Sequence, residues 1–396
     1  MSGSGLRSGA NEDYALYVTS FPPQRYRRPL LAARALRILG LRTVLFEGWR
    51  LVDRYGPLKA LARLSGSLPK PLDWLIKDAA YEASIGIGTR AHEPRCVVNL
   101  NVVGAYGLRT YHEESPLILD MQDVTVQDDG RLPIYDMMTL RLAILVIFAS
   151  KALMDLVNKR YPRLIRRSTH VPFGIELKSF DAAYHRTDAN YFLSSFNLRG
   201  FKILTYSGGG YLWRGREGQG IELFLDAARR LIGLPQVKFV IQGVTTPGTY
   251  MWRWLENSVK RRGLEGRVVL LPPTGPFDPL RLSMYRASDA LLLPIGDILG
   301  TYYAEQLKLY EYMAAQRPIV MIGTPARLNV LGPNEAYIAS RRDPDEFAHQ
   351  IMAALEEPEE AVAKAARARR IVEERYDWRV LIPKYAEAVA SVLAER

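Results

Sequence analysis

Short apolar runs alternate with amphipathic helical patterns along the second half of the chain, and this alternation restricts the fold more than any other feature. The run "FKILTYS" (201–207) precedes a glycine-rich loop and then "IELFLDAARRL", whose apolar residues share one helical face. Four more strand-like runs follow, each separated from the next by a helical pattern: "VKFVIQG", "RVVLLPP", "DALLLPIG" and "PIVMIG". This alternation predicts a parallel sheet wrapped by helices.

The first half of the chain shows the same alternation less regularly. The strand pattern "YALYVTS" (14–20) precedes the helical pattern "LLAARALRILG" and the second strand pattern "LRTVLFEG". "RCVVNLNVV" and "PLILDMQD" have the composition of interior strands, and "LAILVIFASKALMDLVNKRYP" indicates a strand, a turn and a helix. Two successive units of this kind predict an α/β protein with two Rossmann-like domains that face each other across a cleft.

The length of 396 residues also favours two domains, because one ordinary core seldom extends so far. We expect the connection between them near Ile175–Arg199. The predicted divisions are a disordered leader over 1–13, the first domain over 14–180, the second over 181–375, and a last helix over 376–396 that crosses back to the first domain.

Composition excludes several classes of protein. The single cysteine, Cys96, excludes an internal disulfide framework and a cysteine metal cage, and the five histidines show no ligand spacing. We therefore expect no metal and no cofactor. The longest apolar run, Leu142 to Ala149, is too short for a membrane span, which predicts a cytoplasmic protein. Residues 1–180 hold 25 Lys and Arg against 17 Asp and Glu, a surface suited to anionic lipid, nucleic acid or a phosphorylated small molecule, or to solubility alone.

The loop "SGGGYLWRGREGQG" (207–220) is the first candidate binding segment. Glycines directly after a strand allow backbone amides to approach a phosphate, and arginines add charge-assisted hydrogen bonds. The spacing differs from that of dinucleotide-binding and Walker loops, and a flexible surface turn has the same composition. We favour phosphate binding by the glycines and arginines of this loop: Gly208, Gly209, Gly210, Arg214 and Arg216.

The second candidate segment is "EQLKLYEYMAAQRPIVMIG" (305–323), in which a short helix leads into a buried strand. Amides at the helix start, from Glu305 to Leu307, suit a diphosphate, and Lys308 lies in the first turn. Glu311 lies one turn later, where it would accept hydrogen bonds from ribose hydroxyls. The same spacing fits a surface pair between Lys308 and Glu311, so spacing alone leaves both interpretations open.

The first half offers weaker candidates. Arg25, Arg27 and Arg28 follow the first strand and would bind an anionic acceptor, although they equally suit solvated charges at a helix end. Asp123 follows the strand "LILDMQD" and would reach the cleft as a catalytic carboxylate, or would cap a helix. The order of residues shows no Ser-His-Asp set and no convincing general base.

Several segments resemble, in the same order, the glycosyltransferases with the GT-B fold, specifically the retaining glycosyltransferase family 4 (glycosyl transferases group 1). The stretch "EQLKLYEYMAAQRPIVM" is similar to the family's "SPLKLFEYMAAGRPIVA", and "MYRASDALLLP" to "YRAADVFVLP". "VKFVIQG" is similar to "KLVIVG", and "VIFASKALMDLVNKRYP…THVPFGIELKSF" to "SEALKD…VPNGVD…F". The resemblance is strongest over residues 145–325 and implies that the second domain binds a donor.

The resemblance assigns Arg214 to the donor diphosphate, Glu311 to the ribose, and the amides of Glu305, Gln306 and Leu307 to the phosphates. Three departures from the family pattern stand out. Gln219 replaces a lysine, Tyr303 replaces the first glutamate of an E-x7-E pair, and Glu305–Gln306 replaces Ser-Pro.

We therefore expect a hexosyltransferase that moves a sugar from a nucleoside diphosphate sugar to a glycan, a lipid-linked acceptor or a small phosphorylated acceptor. The reaction would be retaining and metal-independent, with Asp123, Arg214 and Lys308 as catalytic residues. We expect no nucleic acid among the binding partners. A nucleotide-sugar epimerase or phosphorylase of the same architecture is an alternative. A transferase-like binding module is another, and Tyr303 and Gln219 favour it.

One further segment, Gly48 to Asp78, mixes tryptophans and leucines with six Lys and Arg and three Asp. Basic amphipathic segments of this kind lie on anionic membrane surfaces, which predicts a peripheral location on the inner face of the membrane. An ordinary helical insertion packed on the sheet has the same pattern.

Overall fold

The computed structural model describes residues 13–20, 27–65, 69–122, 126–127, 129–209, 212–213, 216–217, 219–295 and 299–395. Within these ranges the chain forms two parallel six-stranded sheets. The first sheet consists of Tyr14–Thr19 (β1), Arg42–Glu47 (β2), Cys96–Leu100 (β3), Leu117–Met121 (β4), Leu145–Phe148 (β5) and Ser168–His170 (β6). Its strand order is β2-β1-β3-β4-β5-β6, so the order reverses between β1 and β3.

The strands of the second sheet are Lys202–Ser207 (β7), Val237–Gln242 (β10), Val268–Leu271 (β11), Ala290–Leu293 (β12), Ile319–Ile322 (β13) and Tyr337–Ala339 (β14). Their order is β11-β10-β7-β12-β13-β14, so the order reverses between β7 and β12. A small antiparallel pair, Leu212–Trp213 (β8) and Arg216–Glu217 (β9), lies within the glycine-rich loop, for which the sequence indicated no strand. The predicted α/β class with two Rossmann-like sheets is confirmed.

Helices cover both sheets. Those that precede the second sheet are Arg28–Ile38 (α1), Gly48–Arg54 (α2), Gly56–Leu64 (α3), Lys70–Thr89 (α4), Ala105–Tyr111 (α5), Ile134–Leu142 (α6), Lys151–Arg160 (α7), Leu177–Tyr184 (α8) and Ala189–Ser195 (α9). The others are Ile221–Arg230 (α10), Tyr250–Arg261 (α11), Pro279–Ala287 (α12), Leu299–Tyr303 (α13), Leu307–Ala314 (α14), Pro325–Leu328 (α15), Pro344–Glu356 (α16), Pro358–Ile371 (α17) and Trp378–Leu393 (α18), with a π-helical turn at Val372–Tyr376. Side-chain caps fix several of these starts, as at Ser150, Thr249 and Asp343, whose oxygens accept first-turn amides.

The segment expected to connect the domains is not an open linker. It folds into α8 and α9, and buried side chains of both helices, including Phe180 and Phe192, belong to the core of the second sheet. The helix expected at Glu305 begins instead at Leu307, after the short helix α13. Both differences arise from packing against residues distant in the chain, which local periodicity does not report.

The last helix packs on the first sheet although the chain reaches it from the second. Trp378, Leu381 and Tyr385 are buried in one cluster with residues of β1, β3 and α1. The backbone of Ile175 bonds to the same turn, with its amide 2.9 Å from the carbonyl of Tyr376. Two crossings of the chain therefore join the units. Among the described helices, none combines the length and the apolar content that a bilayer crossing requires.

Candidate functional site

A cleft of about 1380 Å³ lies where the two sheets face each other. Residues that follow strands of the first sheet line one wall, including Asn101, Val102 and Ile175, and residues at the ends of strands of the second sheet line the other, including Ser207, Gln242 and Thr274. Ligands of parallel α/β sheets bind at the carboxyl ends of the strands, close to the point where the strand order reverses. Both reversals, β1/β3 and β7/β12, belong to the sheets that meet at this cleft.

Lys308 places its ammonium group at the end of β7. Its Nζ donates to the Tyr206 hydroxyl at 3.0 Å and to Oε1 of Gln219 at 3.1 Å, and it lies 4.6 Å from the centre of the Tyr206 ring. A Cβ added to Gly208 would lie 1.9 Å from this Nζ. The absence of a side chain at Gly208 is therefore what allows the ammonium group to occupy this position.

Glu311 lies one turn further along α14 and also borders the cleft. Its Oε2 accepts hydrogen bonds from the Arg281 guanidinium and, at 2.9 Å, from the Tyr285 hydroxyl. Burial alone would lower the pKa of Arg281, but the Glu311 carboxylate and the Tyr285 hydroxyl outweigh it and raise that pKa above its usual value. Lys308 and Glu311 thus contact different partners and do not form the surface pair that their spacing also allowed.

The two residues before α14 turn their side chains into the protein. The carboxylate of Glu305 accepts from the Tyr310 hydroxyl and lies 3.4 Å from Nε2 of His170 on β6. Gln306 donates to the carbonyl of Ala304 at 2.6 Å, and its Oε1 accepts from Arg327. The start of α14 therefore borders the cleft while the Glu305 carboxylate is turned away from it. The side chain of Leu307 is exposed at the same place.

Part of the predicted site lies outside the described residues. Gly210, Arg214, Asp123 and Arg25 belong to the undescribed ranges, and only the backbone of Arg216 is described, in β9. Gly208 and Gly209 are described and line the cleft. The roles assigned to these residues from the sequence stay predictions.

The predicted acceptor arginines have carboxylate partners. Arg27 lies 2.7 Å from a carboxylate oxygen of Glu176, and its guanidinium lies over the rings of Phe277 and Trp378 at 4.5 and 5.2 Å. It borders the cleft and touches both domains.

Arg28 is fully enclosed, with its side chain 1% exposed, and it lies 2.9 Å from Asp120, whose side chain is 0% exposed. Asp120 also accepts from Tyr17 at 2.9 Å and from Tyr385 at 3.1 Å. Arg28 thus stabilises the core of the first domain, and it is not one of the solvated charges that the sequence also allowed. It borders the cleft, and its predicted acceptor role stays a prediction. Desolvation opposes its charge, but Asp120 raises the pKa of Arg28 overall.

Three site residues were missed by reasoning from the sequence: Tyr206, Arg281 and Tyr285. Arg281 and Tyr285 are four apart on α12 and therefore share a face, with Arg281 Nε donating to the Tyr285 hydroxyl at 2.9 Å. That spacing in the sequence would have been enough to predict that the two side chains lie together. Tyr206 is the penultimate residue of β7 and is buried, and its hydroxyl contacts Lys308, which is 102 residues further along the chain.

Two Rossmann-like domains with a nucleotide-sized cleft between their carboxyl edges define the GT-B class of glycosyltransferase fold. Residues 208–357 match the family described as "Glycosyl transferases group 1". The resemblance of the chain to GT-B glycosyltransferases is thereby confirmed. No curated protein sequence matches the chain.

Solved structures resemble the chain over almost its whole length. Sucrose-phosphate synthase from Thermosynechococcus elongatus superposes with a TM-score of 0.73 at 15% identity, covering 98% of this chain and 100% of that one. Anabaena HepE in complex with UDP-glucose superposes with a TM-score of 0.70 at 14% identity, covering 96% of this chain and 99% of that one. An E. coli structure, described as trehalose-6-phosphate bound with UDP-2-fluoro glucose, superposes with a TM-score of 0.71 at 13% identity, covering 97% of this chain and 99% of that one. At these identities the similarity establishes the fold.

Proposed function

We propose that the protein transfers a hexose from a nucleoside diphosphate sugar to an acceptor bound in the same cleft. One observation carries the proposal: α14 presents Lys308 at the carboxyl end of β7 and Glu311 one turn away, each bound to a different set of side chains. A cation at a helix start and a carboxylate one turn later match the two ends of a nucleoside diphosphate, because the phosphates need positive charge and the ribose offers hydroxyl donors.

The similar structures suggest which donor to test first. Anabaena HepE is described in complex with UDP and with UDP-glucose, and the E. coli structure with UDP-2-fluoro glucose. We therefore infer that UDP-glucose is the first donor to assay, with other bases and hexoses as comparisons.

Lys308 corresponds to the lysine of the family segment "SPLKLFEYMAAGRPIVA", so the chain keeps this cation and lacks the second one that the family pattern places at position 219. Gln219 stands there, and its amide oxygen lies 3.1 Å from the Lys308 ammonium group. A cation introduced at position 219 would therefore lie close to the point that Lys308 reaches. Arg214 and Arg216 are proposed to add further charge, and Gly208, Gly209 and Gly210 to present backbone amides.

In the proposed reaction the bond between the anomeric carbon and the diphosphate oxygen breaks while the acceptor oxygen bonds to that carbon on the same face. The acceptor proton passes to the leaving diphosphate, so no side-chain base is needed and the configuration is retained. Lys308 and the start of α14 stabilise the charge that develops on the leaving group, which is how a site without a metal ion would work. The proposal keeps Asp123 as a catalytic carboxylate. It takes the acceptor to be a glycan, a lipid-linked molecule or a small molecule.

Calorimetry with UDP, UMP and uridine tests the site. Lys308→Met should weaken UDP binding roughly 10- to 100-fold, as expected for the loss of a charge-assisted contact, and leave uridine binding almost unchanged. Gln219→Lys added to Lys308→Met should restore much of the UDP affinity, because it returns the cation from the other side. An equal loss for UDP and uridine, without recovery in the double variant, would remove Lys308 from the diphosphate site.

A binding module without turnover is the second candidate, and Tyr303 favours it. This residue occupies the position of the first family glutamate, and its backbone carbonyl accepts from Ser150 Oγ of the first domain. Slow hydrolysis of UDP-glucose by the purified protein, measured as released glucose, would support the transferase. Tight binding of UDP-glucose without hydrolysis or transfer to any acceptor offered would support the module.

A further inference from the structure

A group of exposed leucines lies on α3 and the first turns of α4. None of the residues of α3 is buried, although every third or fourth is apolar. Leu61 is 43% exposed and Leu64 is 71% exposed at the end of this helix. Leu72 and Leu75 are 49% and 64% exposed on α4. We call these four residues the leucine face.

Two contacts hold the two parts of the leucine face side by side. Ser65, directly after Leu64, donates its hydroxyl to Asp73 at 2.7 Å, and Asp73 directly follows Leu72. Lys77 closes the same turn with a bond of 2.9 Å to Asp73. The end of α3 therefore lies beside the first turns of α4, and the exposed leucines of the two helices lie in the same region of the surface.

The tryptophans of this segment do not carry the same argument. Trp49 packs edge-on against Tyr81, with ring centres 5.0 Å apart, so much of its surface serves the fold. The side chain of Trp74 lies outside the described residues. The apolar contact that the sequence led us to expect from tryptophan is provided in the described structure by leucine.

The leucine face lies beyond the carboxyl edge of the first sheet. Helix α4 runs in the same direction as α5, because Glu82 accepts the Gly104 amide at 2.7 Å and Thr89 contacts His112 at 2.9 Å. Gly104 follows β3 at the cleft edge. Leu72 precedes Glu82 by ten residues, so a helical rise of 1.5 Å per residue places it about 15 Å beyond that edge. The face thus lies on the same side of the first sheet as the cleft.

The segment that carries the leucine face has a net positive charge. Residues 48–78 hold six Lys and Arg against three Asp. Lys59 pairs with Asp53 and Lys77 with Asp73, while Arg63 is exposed on α3. The first 180 residues carry most of the net charge of +11. An apolar surface on a net positive segment complements an anionic bilayer, where leucines enter the acyl boundary and cations contact the headgroups.

We propose that the leucine face binds an anionic lipid surface and turns the cleft side of the first domain towards it. This binding is independent of the proposed function. Its consequence for the acceptor rests on that function: an acceptor carried on a lipid would enter the cleft directly from the bilayer, whereas a soluble one would gain nothing from the contact.

Co-sedimentation tests the proposal with the full chain and without nucleotide. Vesicles of equal phosphatidylcholine and phosphatidylglycerol should retain the protein at 0.05 M salt and release most of it at 0.5 M, since the Debye length falls to a few ångströms. Vesicles of phosphatidylcholine alone should retain far less. Leu64→Gln with Leu75→Gln should lower binding to the mixed vesicles roughly tenfold or more.

The matched control is Tyr250→Gln with Val362→Gln, since these side chains are 69% and 66% exposed on the second domain. This pair should bind vesicles like the unchanged protein, and both pairs should keep the thermal transition and the UDP affinity. Equal vesicle binding by the two pairs would overturn the proposal. A lipid-independent dimer that Leu64→Gln with Leu75→Gln dissociates would also overturn it, because the face would then be occupied by a second copy of the chain.

Discussion

The two walls of the cleft use charge in opposite ways. On the second-domain wall, Lys308 and Glu311 come from one helix and point to the region where a donor would lie. On the first-domain wall, Arg28 is enclosed with Asp120, and Arg27 pairs with Glu176. The cations of the first wall thus pair with carboxylates from distant parts of the chain, whereas Tyr206 and Gln219, the described side chains that Lys308 contacts, carry no charge. This difference is why we propose ligand binding for Lys308 and a stabilising role for Arg27 and Arg28.

Arg28→Met is expected to have the largest effect and sharpens this comparison. Removing Arg28 leaves Asp120 buried without its cation, which costs about 3–5 kcal/mol in the free energy of unfolding. Urea unfolding followed by circular dichroism measures it.

The double change Arg28→Met with Asp120→Leu should cost less than Arg28→Met alone, because no unpaired charge remains. If the Arg28→Met protein is as stable as the unchanged protein and has lost only acceptor binding, the structural role of Arg28 is wrong and Arg28 belongs to the acceptor site.

Glu311→Gln is expected to come next and tests the opposite wall. The amide keeps the shape but weakens the acceptor for ribose hydroxyls, so UDP and uridine should both lose about 1–3 kcal/mol of binding free energy. This pattern differs from that of Lys308→Met, which should affect UDP alone.

Tyr285→Phe is the control for Glu311, because it removes the 2.9 Å hydrogen bond to that carboxylate without altering the carboxylate itself. It should cost less than Glu311→Gln. Unchanged uridine affinity in a folded Glu311→Gln protein would exclude Glu311 as the ribose ligand.

The difference between the walls also explains what the sequence predicts well. Lys308 and Glu311 lie in one contiguous motif, so their presence in a single site follows from helical spacing and from the rule for strand ends. Asp120 meets Arg28 across 92 residues and Tyr385 across 265, and nothing local identifies those partners. The folding of the expected linker into α8 and α9 was missed for the same reason.

Arg27→Met tests the contact between the two domains at the edge of the cleft. Its guanidinium lies over Phe277 of the second domain and pairs with Glu176 of the first, so the change should lower the free energy of unfolding by about 1–2 kcal/mol. UDP affinity should not change, since the proposed donor contacts lie on α14 and directly after β7.

Arg34→Met is the control for Arg27, because Arg34 bonds the same Glu176 from a half-exposed position. It should cost less. A loss of transfer to a phosphorylated acceptor in Arg27→Met, with stability unchanged, would show that the first wall also uses its cation for a ligand.

Asp78→Asn should give the smallest effect and concerns the helix that joins the first wall to the leucine face. Burial, with a smaller contribution from Glu82, raises the pKa of Asp78 to about 6 from its usual 3.8. The folded state therefore favours the protonated acid, so the stability from Asp78 is greatest below pH 4 and is lost as the pH rises through 6. Because this side chain is only partly enclosed, we expect Asp78→Asn to stabilise the protein by about 1 kcal/mol at pH 7.5, with the gain falling to about a third of that at pH 4.5. Urea unfolding at the two pH values measures the difference, and Asp155→Asn on α7 is the exposed control, expected to change stability little at either pH. A gain of the same size at both pH values would mean that Asp78 is not the group that burial on α4 penalises.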